Sequence, residues 1–103
     1  MDLINLKLLF IRFSSLGDIL LTFPAISFLK YTYPDIIIHF VSKSQFHDIL
    51  KLNQLIDEVI LFDDKNDSIS KLKKIIKHNN YDYIIDLHNN IRSRILTLFL
   101  PFR

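Results

Sequence analysis

An aspartate that directly follows the only glycine of the chain is the residue best placed to do chemistry. Asp18 ends the stretch Arg12-Phe13-Ser14-Ser15-Leu16-Gly17-Asp18, and the pattern predicts that it lies in the first turn of a helix. A helix N-terminus stabilises the carboxylate anion, so the acid stays ionised at neutral pH and is a weak base. Such a base can take a proton from a substrate hydroxyl when a good leaving group departs, as in transfer from an activated sugar. A simple helix cap explains the same acid equally well.

The turn before this aspartate does not carry a known phosphate-binding pattern. A dinucleotide site needs G-x-G-x-x-G and a P-loop needs G-x-x-x-x-G-K followed by Ser or Thr, and neither follows the first strand. A response-regulator receiver needs an acidic pair at the same point, where this chain has Phe13-Ser14-Ser15. Because Gly17 is the single glycine, we expect that the backbone geometry of the turn requires it.

Predicted strands and helices alternate along the chain, which indicates an α/β fold with a parallel sheet and right-handed crossovers. The predicted strands are residues 7–13, 36–41, 58–62 and 81–87. The predicted helices are residues 18–31, 44–52, 68–78 and 91–100. Pro24 should bend the first helix or separate a short first turn from its body. The apolar residues expected to face the core from the first and third helices are Ile19, Leu20, Phe23, Ile26, Leu29, Tyr31, Ile69, Leu72, Ile75 and Ile76.

The strand order decides whether two polar loops meet. In the doubly wound order 3-2-1-4, the first and fourth strands are neighbours and open a crevice at their carboxyl ends. Loop 13–18 would then face loop 88–93, and the two would line one cleft. His88 in the second loop is interpreted as a polar rim residue. His39, within the second strand, is interpreted as a hydrogen-bonded core or edge residue.

Composition limits the class of protein. The 103 residues are 50% hydrophobic, carry a net charge of +2 and include no cysteine. These values argue for one small folded domain and against disorder, a nucleic-acid surface, disulfides and thiolate metal sites. No pair among the histidines has metal-ligand spacing with a partner acid, so no metal is predicted. The sequence shows neither a secretion signal nor a membrane span, and a cytoplasmic location is expected.

Several blocks of the chain resemble a known family. Residues 10–25, FIRFSSLGDILLTFPA, are similar to the amino-terminal signature of glycosyltransferase family 9, the lipopolysaccharide heptosyltransferases. The similarity continues through Tyr33-Pro34-Asp35 and through residues 81–88, YDYIIDLH, with Arg92-Ser93 following. It covers nearly the whole chain in the expected order and spacing.

The resemblance implies a GT-B architecture, in which two Rossmann-like domains face a cleft, and inverting transfer from a nucleotide-activated sugar such as ADP-heptose, without a metal or other cofactor. The 103 residues would form the amino-terminal, acceptor-side domain of a truncated chain, inactive without its carboxy-terminal donor-binding domain. Asp18 would be the catalytic base, and the acceptor would be a lipid-linked saccharide of the lipopolysaccharide core. The substrate-binding residues that the resemblance implies are Ser14, Ser15, Gly17, Arg92 and Ser93.

Alternatives remain for single residues and for the whole chain. Arg12 fits a phosphate anchor or an ion pair with a neighbouring acid, and the second is slightly favoured. The lysines between Lys71 and Lys77 fit a solvated helix face better than contact with anionic headgroups at the inner membrane. The chain itself could be a non-catalytic ligand-binding module, which predicts nucleotide binding by these residues alone. It could also be an inactive remnant, which the coding sequence beyond Arg103 would reveal.

Overall fold

The computed structural model describes residues 6–63 and 69–87. The strands within these ranges are β1 (Lys7–Ile11), β2 (Ile37–Lys43), β3 (Glu58–Phe62) and β4 (Tyr83–Asp86). The α-helices are α1 (Leu16–Leu20), α2 (Phe23–Thr32), α3 (His47–Lys51) and α4 (Ile69–His78). A 3-10 turn, Ser44–Phe46, leads into α3. The predicted helix 91–100 and loop 88–93 lie outside the described residues.

The strands form one parallel sheet in the order β3-β2-β1-β4, which confirms the predicted doubly wound order. In the register, Leu9 of β1 stands between His39 of β2 and Ile84 of β4. The chain moves outward from β1 to β3 and then returns to the other side of β1. Right-handed crossovers therefore put the helices before β3 on one face of the sheet and α4 on the other.

The sheet is buried on both faces, which explains why β1 is apolar from Leu8 to Ile11. Leu8 and Phe10 of β1 pack on the face that carries α1, α2 and α3. Leu9 and Ile11 pack on the opposite face with the buried side of α4, and Phe13 extends that cluster beyond the end of the strand. The described residues thus form two apolar layers, and β1 contributes to each through alternate side chains.

Pro24 separates two helices. It occupies the first turn of α2, where a missing N–H leaves no helical hydrogen bond unmade. Of the two outcomes expected for Pro24, the separate first turn is therefore correct. The break also changes the rotation of α2 relative to α1, so the single buried face predicted across both helices is partly wrong. Tyr31 is 89% exposed and Leu20 is also exposed, whereas Ile19 and Ile26 are fully buried.

Strand ends differ from prediction where the chain turns. β1 ends at Ile11 and β4 covers Tyr83–Asp86, both shorter than expected, whereas β2 continues to Lys43. The predicted first strand is too long because it includes Phe13, which is apolar and buried but lies beyond the end of β1. Phe13 is buried by contact with Phe62 (ring centroids 5.9 Å apart) and not by strand pairing. The predicted bounds of β3 are confirmed.

His39 is a hydrogen-bonded core residue, as the sequence indicates. Its ring is buried, and Nδ1 lies 2.7 Å from the hydroxyl of Tyr81. Burial lowers the pKa of His39, because desolvation disfavours the imidazolium; the nearby Glu58 carboxylate, 3.6 Å from Nε2, opposes that effect. The uncharged ring is therefore favoured in the folded state.

Substitution of Ile76 by alanine should destabilise the fold much more than the same change at Ile75. The side chain of Ile76 is 1% exposed, whereas Ile75, predicted to be buried, is 40% exposed at the edge of the α4 stripe. Loss of a buried isoleucine side chain lowers the free energy of unfolding by about 2–5 kcal/mol. Urea denaturation of both variants measures the difference, and equal losses would contradict the assigned face of α4.

Acid should destabilise the protein through His39. Below the unfolded value of 6.5, the unfolded state binds a proton that the folded state takes up only at lower pH, because the folded pKa is lowered. The free energy of unfolding should therefore fall as pH drops from 6.5 towards 5. His39→Gln should flatten this dependence in urea denaturation, and His47→Gln, which replaces an exposed ring, is the matched control. A slope that His39→Gln leaves intact would refute this origin.

Candidate functional site

The carboxyl ends of β1 and β4 lie side by side at one edge of the sheet. Ile11 pairs in register with Asp86, and the backbone N–H of Leu87 donates to the Ile11 carbonyl at 3.0 Å. On the other side, the N–H of Arg12 donates to the carbonyl of Val41 at 3.2 Å. The segment that leaves β1 therefore starts from a point that both neighbouring strands fix.

Ser15 and Asp18 form the start of α1. Ser15 is the N-cap residue in an extended backbone conformation, and Asp18 is the third residue of the helix. Oδ2 of Asp18 accepts hydrogen bonds from the Ser15 hydroxyl at 2.9 Å and from the Ser15 backbone N–H at 3.4 Å. An acid at this position that reaches back to the N-cap is the capping-box arrangement. The prediction that Asp18 lies in the first turn of a helix is thus confirmed.

Arg12 connects this acid to the end of β4. Its Nη2 lies 2.8 Å from Oδ2 of Asp18, and its Nη1 donates to the carbonyl of Leu87 at 2.6 Å. Of the two roles left open by the sequence, the ion pair with a neighbouring acid is the one that the structure shows. Alternation along β1 puts the Arg12 side chain on the face of Leu8 and Phe10, towards α1, and this signal was available in the sequence.

The environment of Asp18 keeps its carboxylate charged. Hydrogen bonds from Ser15, and next the hydrogen bond and positive charge of Arg12, lower the pKa of Asp18. The side chain is 47% exposed, so water also solvates the anion. The hydrogen bonds from Ser15 and Arg12 to the Asp18 carboxylate all end at Oδ2. The site therefore contains an ionised acid that is held through one oxygen.

Gly17 is helical and uncrowded. It is the second residue of α1, its φ is not positive, and a Cβ atom built on it would meet nothing within 4 Å. The prediction that backbone geometry requires a glycine here is wrong, because a helical residue of any type adopts these angles. The open space beside Gly17 is compatible with close approach of a substrate, and that role stays a prediction.

The structure brings together only part of the predicted site. Ser14, half-buried, and Ser15, exposed, lie in the same turn as Gly17 and Asp18. Arg92 and Ser93 lie outside the described residues, as does His88. The expected meeting of the two loops is therefore not tested, although Leu87, just before the second loop, does contact Arg12.

Metal ligands do not gather within residues 6–63 and 69–87, where no group of three or more His, Asp or Glu side chains is placed to hold an ion. In the same ranges, no helix has the length and apolar character needed to cross a bilayer. The predicted independence from metal and the predicted location stay predictions.

Comparison with known proteins gives relatives of one kind. Lipopolysaccharide heptosyltransferase 1 of Campylobacter coli is 33% identical over 98 residues, which cover 92% of this chain and 29% of the relative. The chain thus spans about three tenths of the length of that curated relative. No protein-family profile matches the sequence.

Solved structures show the same relationship. A glycosyltransferase of family 9 from Veillonella parvula has a TM-score of 0.82 and 29% identity, over 98% of this chain and 32% of its own. An E. coli heptosyltransferase solved with ADP-2-deoxy-2-fluoro heptose has a TM-score of 0.76 at 22% identity, over 88% of this chain and 32% of its own, and shows likeness of fold alone. The resemblance drawn from residues 10–25 and 81–88 is therefore confirmed: the chain is a relative, over part of their length, of the family 9 heptosyltransferases and shares the Rossmann-like α/β portion of their GT-B-like fold.

Proposed function

We propose that this chain is the acceptor-side, amino-terminal part of a heptosyltransferase-like glycosyltransferase, and that Asp18 is its general base. The observation that carries the proposal is the ionised, 47% exposed carboxylate of Asp18, held through Oδ2 at the carboxyl edge of a parallel sheet. Sheets of this type bind ligands at that edge, beside the strands where the order reverses. β1 and β4 are those strands here.

The proposed reaction matches the weak basicity of this acid. The acceptor hydroxyl attacks the anomeric carbon of the donor sugar, on the face opposite to the nucleoside diphosphate. As the new C–O bond forms, the diphosphate leaves with the electrons of the broken C–O bond, and the hydroxyl proton passes to Asp18. A hydroxyl becomes acidic only as its oxygen bonds to carbon, so a base with a lowered pKa suffices when the leaving group is good.

The proposed substrates follow from the relatives. The donor is a nucleotide-activated sugar, ADP-heptose, since one structural neighbour was solved with a fluorinated analogue of that compound. The chain spans only about three tenths of its curated relative, so we assign most of the donor contacts to residues beyond these 103. The acceptor is a lipid-linked saccharide of the lipopolysaccharide core. Its proposed contacts are Ser14, Ser15, Gly17, Arg92 and Ser93.

We also propose that the reaction takes place in the cytoplasm, at the inner face of the cytoplasmic membrane, where a lipid-linked acceptor would be held. The outer side of α4 supports such a location, because Lys71, Lys74 and Lys77 are exposed there and cations favour anionic headgroups. A solvated helix face explains the same lysines more simply, so the proposed chemistry does not depend on membrane contact.

Asp18→Asn should abolish most transfer in the complete gene product. The amide keeps the size of the side chain but cannot accept the proton, and a general base contributes about 10²- to 10⁴-fold to the rate. Transfer from ADP-heptose and calorimetric binding of ADP measure the two effects separately: kcat should fall by that factor and ADP affinity should stay within about twofold. Asp48→Asn, at a fully exposed acid of α3, is the matched control. Unchanged turnover in Asp18→Asn would remove Asp18 from the chemistry.

Gly17→Ala should separate stability from activity. Alanine is the better helix former, so the free energy of unfolding should rise by about 0.5–1 kcal/mol, with no clash inside the domain. Transfer should nevertheless fall, because the methyl group would occupy the space where the acceptor approaches. Thermal unfolding and the KM of the acceptor measure the two effects. A more stable variant with normal KM and kcat would show that Gly17 does not face the substrate.

A further inference from the structure

We infer that Arg12 is the positioning residue of this site and that it determines which oxygen of Asp18 receives the proton. Arg12 and Ser15 together occupy Oδ2, which leaves Oδ1 as the oxygen that faces the acceptor hydroxyl. The inference rests on the proposed function. It adds a residue and an atom to that function.

Arg12 can act as a fixed reference because its own position is fixed. Its backbone N–H is bonded to Val41 of β2, and the carbonyl just before it, that of Ile11, accepts from Leu87 beyond β4. The guanidinium group then contacts the Leu87 carbonyl through Nη1 and the Asp18 carboxylate through Nη2. A planar guanidinium can make both contacts at once, which a lysine ammonium cannot match in geometry. The Arg12 side chain thus fixes the position of α1 relative to the end of β4.

Stability alone does not account for this arginine. An ion pair whose acid is half-exposed contributes little to folding, because water screens the attraction. The Nε–H of Arg12 is buried and has no hydrogen-bond partner among the described residues, which is unfavourable. What Arg12 does provide is a defined orientation for the carboxylate.

The contacts also distinguish the two carboxylate oxygens. Oδ2 accepts from the Ser15 hydroxyl, the Ser15 N–H and the Arg12 guanidinium at 2.9, 3.4 and 2.8 Å. An oxygen with these donors has its lone pairs engaged and its charge stabilised, so it is the poorer proton acceptor. Oδ1 has no hydrogen bond to the described residues and belongs to a half-exposed group. In the proposed reaction, the acceptor O–H bond therefore breaks towards Oδ1.

The charged groups at this edge define what an Arg12 variant changes. Asp18 faces Arg12 from α1, and Asp86 ends β4 opposite Ile11 in the register. Loss of the guanidinium removes its positive charge and its hydrogen bond from Asp18, so the pKa of Asp18 should rise. It also frees the carboxylate to rotate. Oδ1 would then face the acceptor hydroxyl only part of the time, so proton transfer would be slower.

Two measurements on Arg12→Gln and Arg12→Lys test the inference. In the 103-residue chain, a ¹³C NMR titration of the Asp18 carboxyl should show a midpoint that Arg12→Gln moves upward and Arg12→Lys largely restores. In the complete gene product, Arg12→Gln should lower kcat about 10-fold or more with little change in the KM of the acceptor, as expected for a misplaced base. Arg12→Lys should recover only part of that loss, because it restores charge without the two-sided contact. Amide shifts of β2 and β3 check that each variant is folded.

The outcomes separate this inference from the proposed function. A raised acceptor KM with normal kcat in Arg12→Gln would mean that Arg12 binds substrate, and an unmoved Asp18 midpoint would mean that the ion pair is absent in solution; either overturns the inference. If Asp18→Asn retains transfer, the proposed function fails, whatever the titration shows. If Asp18→Asn abolishes transfer and Arg12→Gln has normal kcat and KM, the inference alone fails.

Discussion

The end of β1 is held from both sides by backbone hydrogen bonds, and the candidate site depends on this constraint. Val41 accepts from the first residue beyond the strand, and Leu87 donates to the last residue within it. Both faces beneath are packed, so the strand cannot slide without loss of two apolar layers. The backbone of Arg12 is therefore fixed, and its guanidinium group in turn fixes the position of the Asp18 carboxylate in α1. A rigid sheet thereby defines the position of a side chain that is itself half in water.

The surroundings of His39 and of Asp18 favour opposite charge states. His39 lies inside the sheet beside Tyr81, where desolvation favours the neutral ring. Asp18 lies at the carboxyl edge, where hydrogen bonds favour the anion. The first arrangement supports packing and makes stability sensitive to acid. The second leaves a charged oxygen at the surface, where a ligand can reach it without a change in the core.

The sequence predicts the fold well because periodicity sums over many residues. Alternating strands and helices, the bounds of β3 and the position of Asp18 in the first turn of α1 all rest on such sums or on a local cap. The errors concern the ends of strands and single side chains. A single helical wheel drawn across Pro24 predicts that Tyr31 faces the core, whereas it is exposed. The wheel fails because the helix breaks before Pro24, and the rotation of α2 relative to α1 depends on that break. The prediction for Gly17 rests on its being the single glycine of the chain, and that count says nothing about its backbone angles. The contact of Arg12 with Leu87 depends on the pairing of β1 with β4, which no local sequence pattern contains.

That contact has a kinetic consequence, because Arg12 and Leu87 are 75 residues apart in the chain. Parallel pairing of β1 with β4 requires closure of a long loop, and contacts of this range form late and slow the folding of a small domain. At a synthesis rate of about 5–20 residues per second, β1 waits roughly 4–15 s after translation before its β4 neighbour exists. During that interval one side of its backbone is open to other strands. Nascent chains are therefore exposed during this interval to mispairing at β1, the strand on which the position of Arg12 depends.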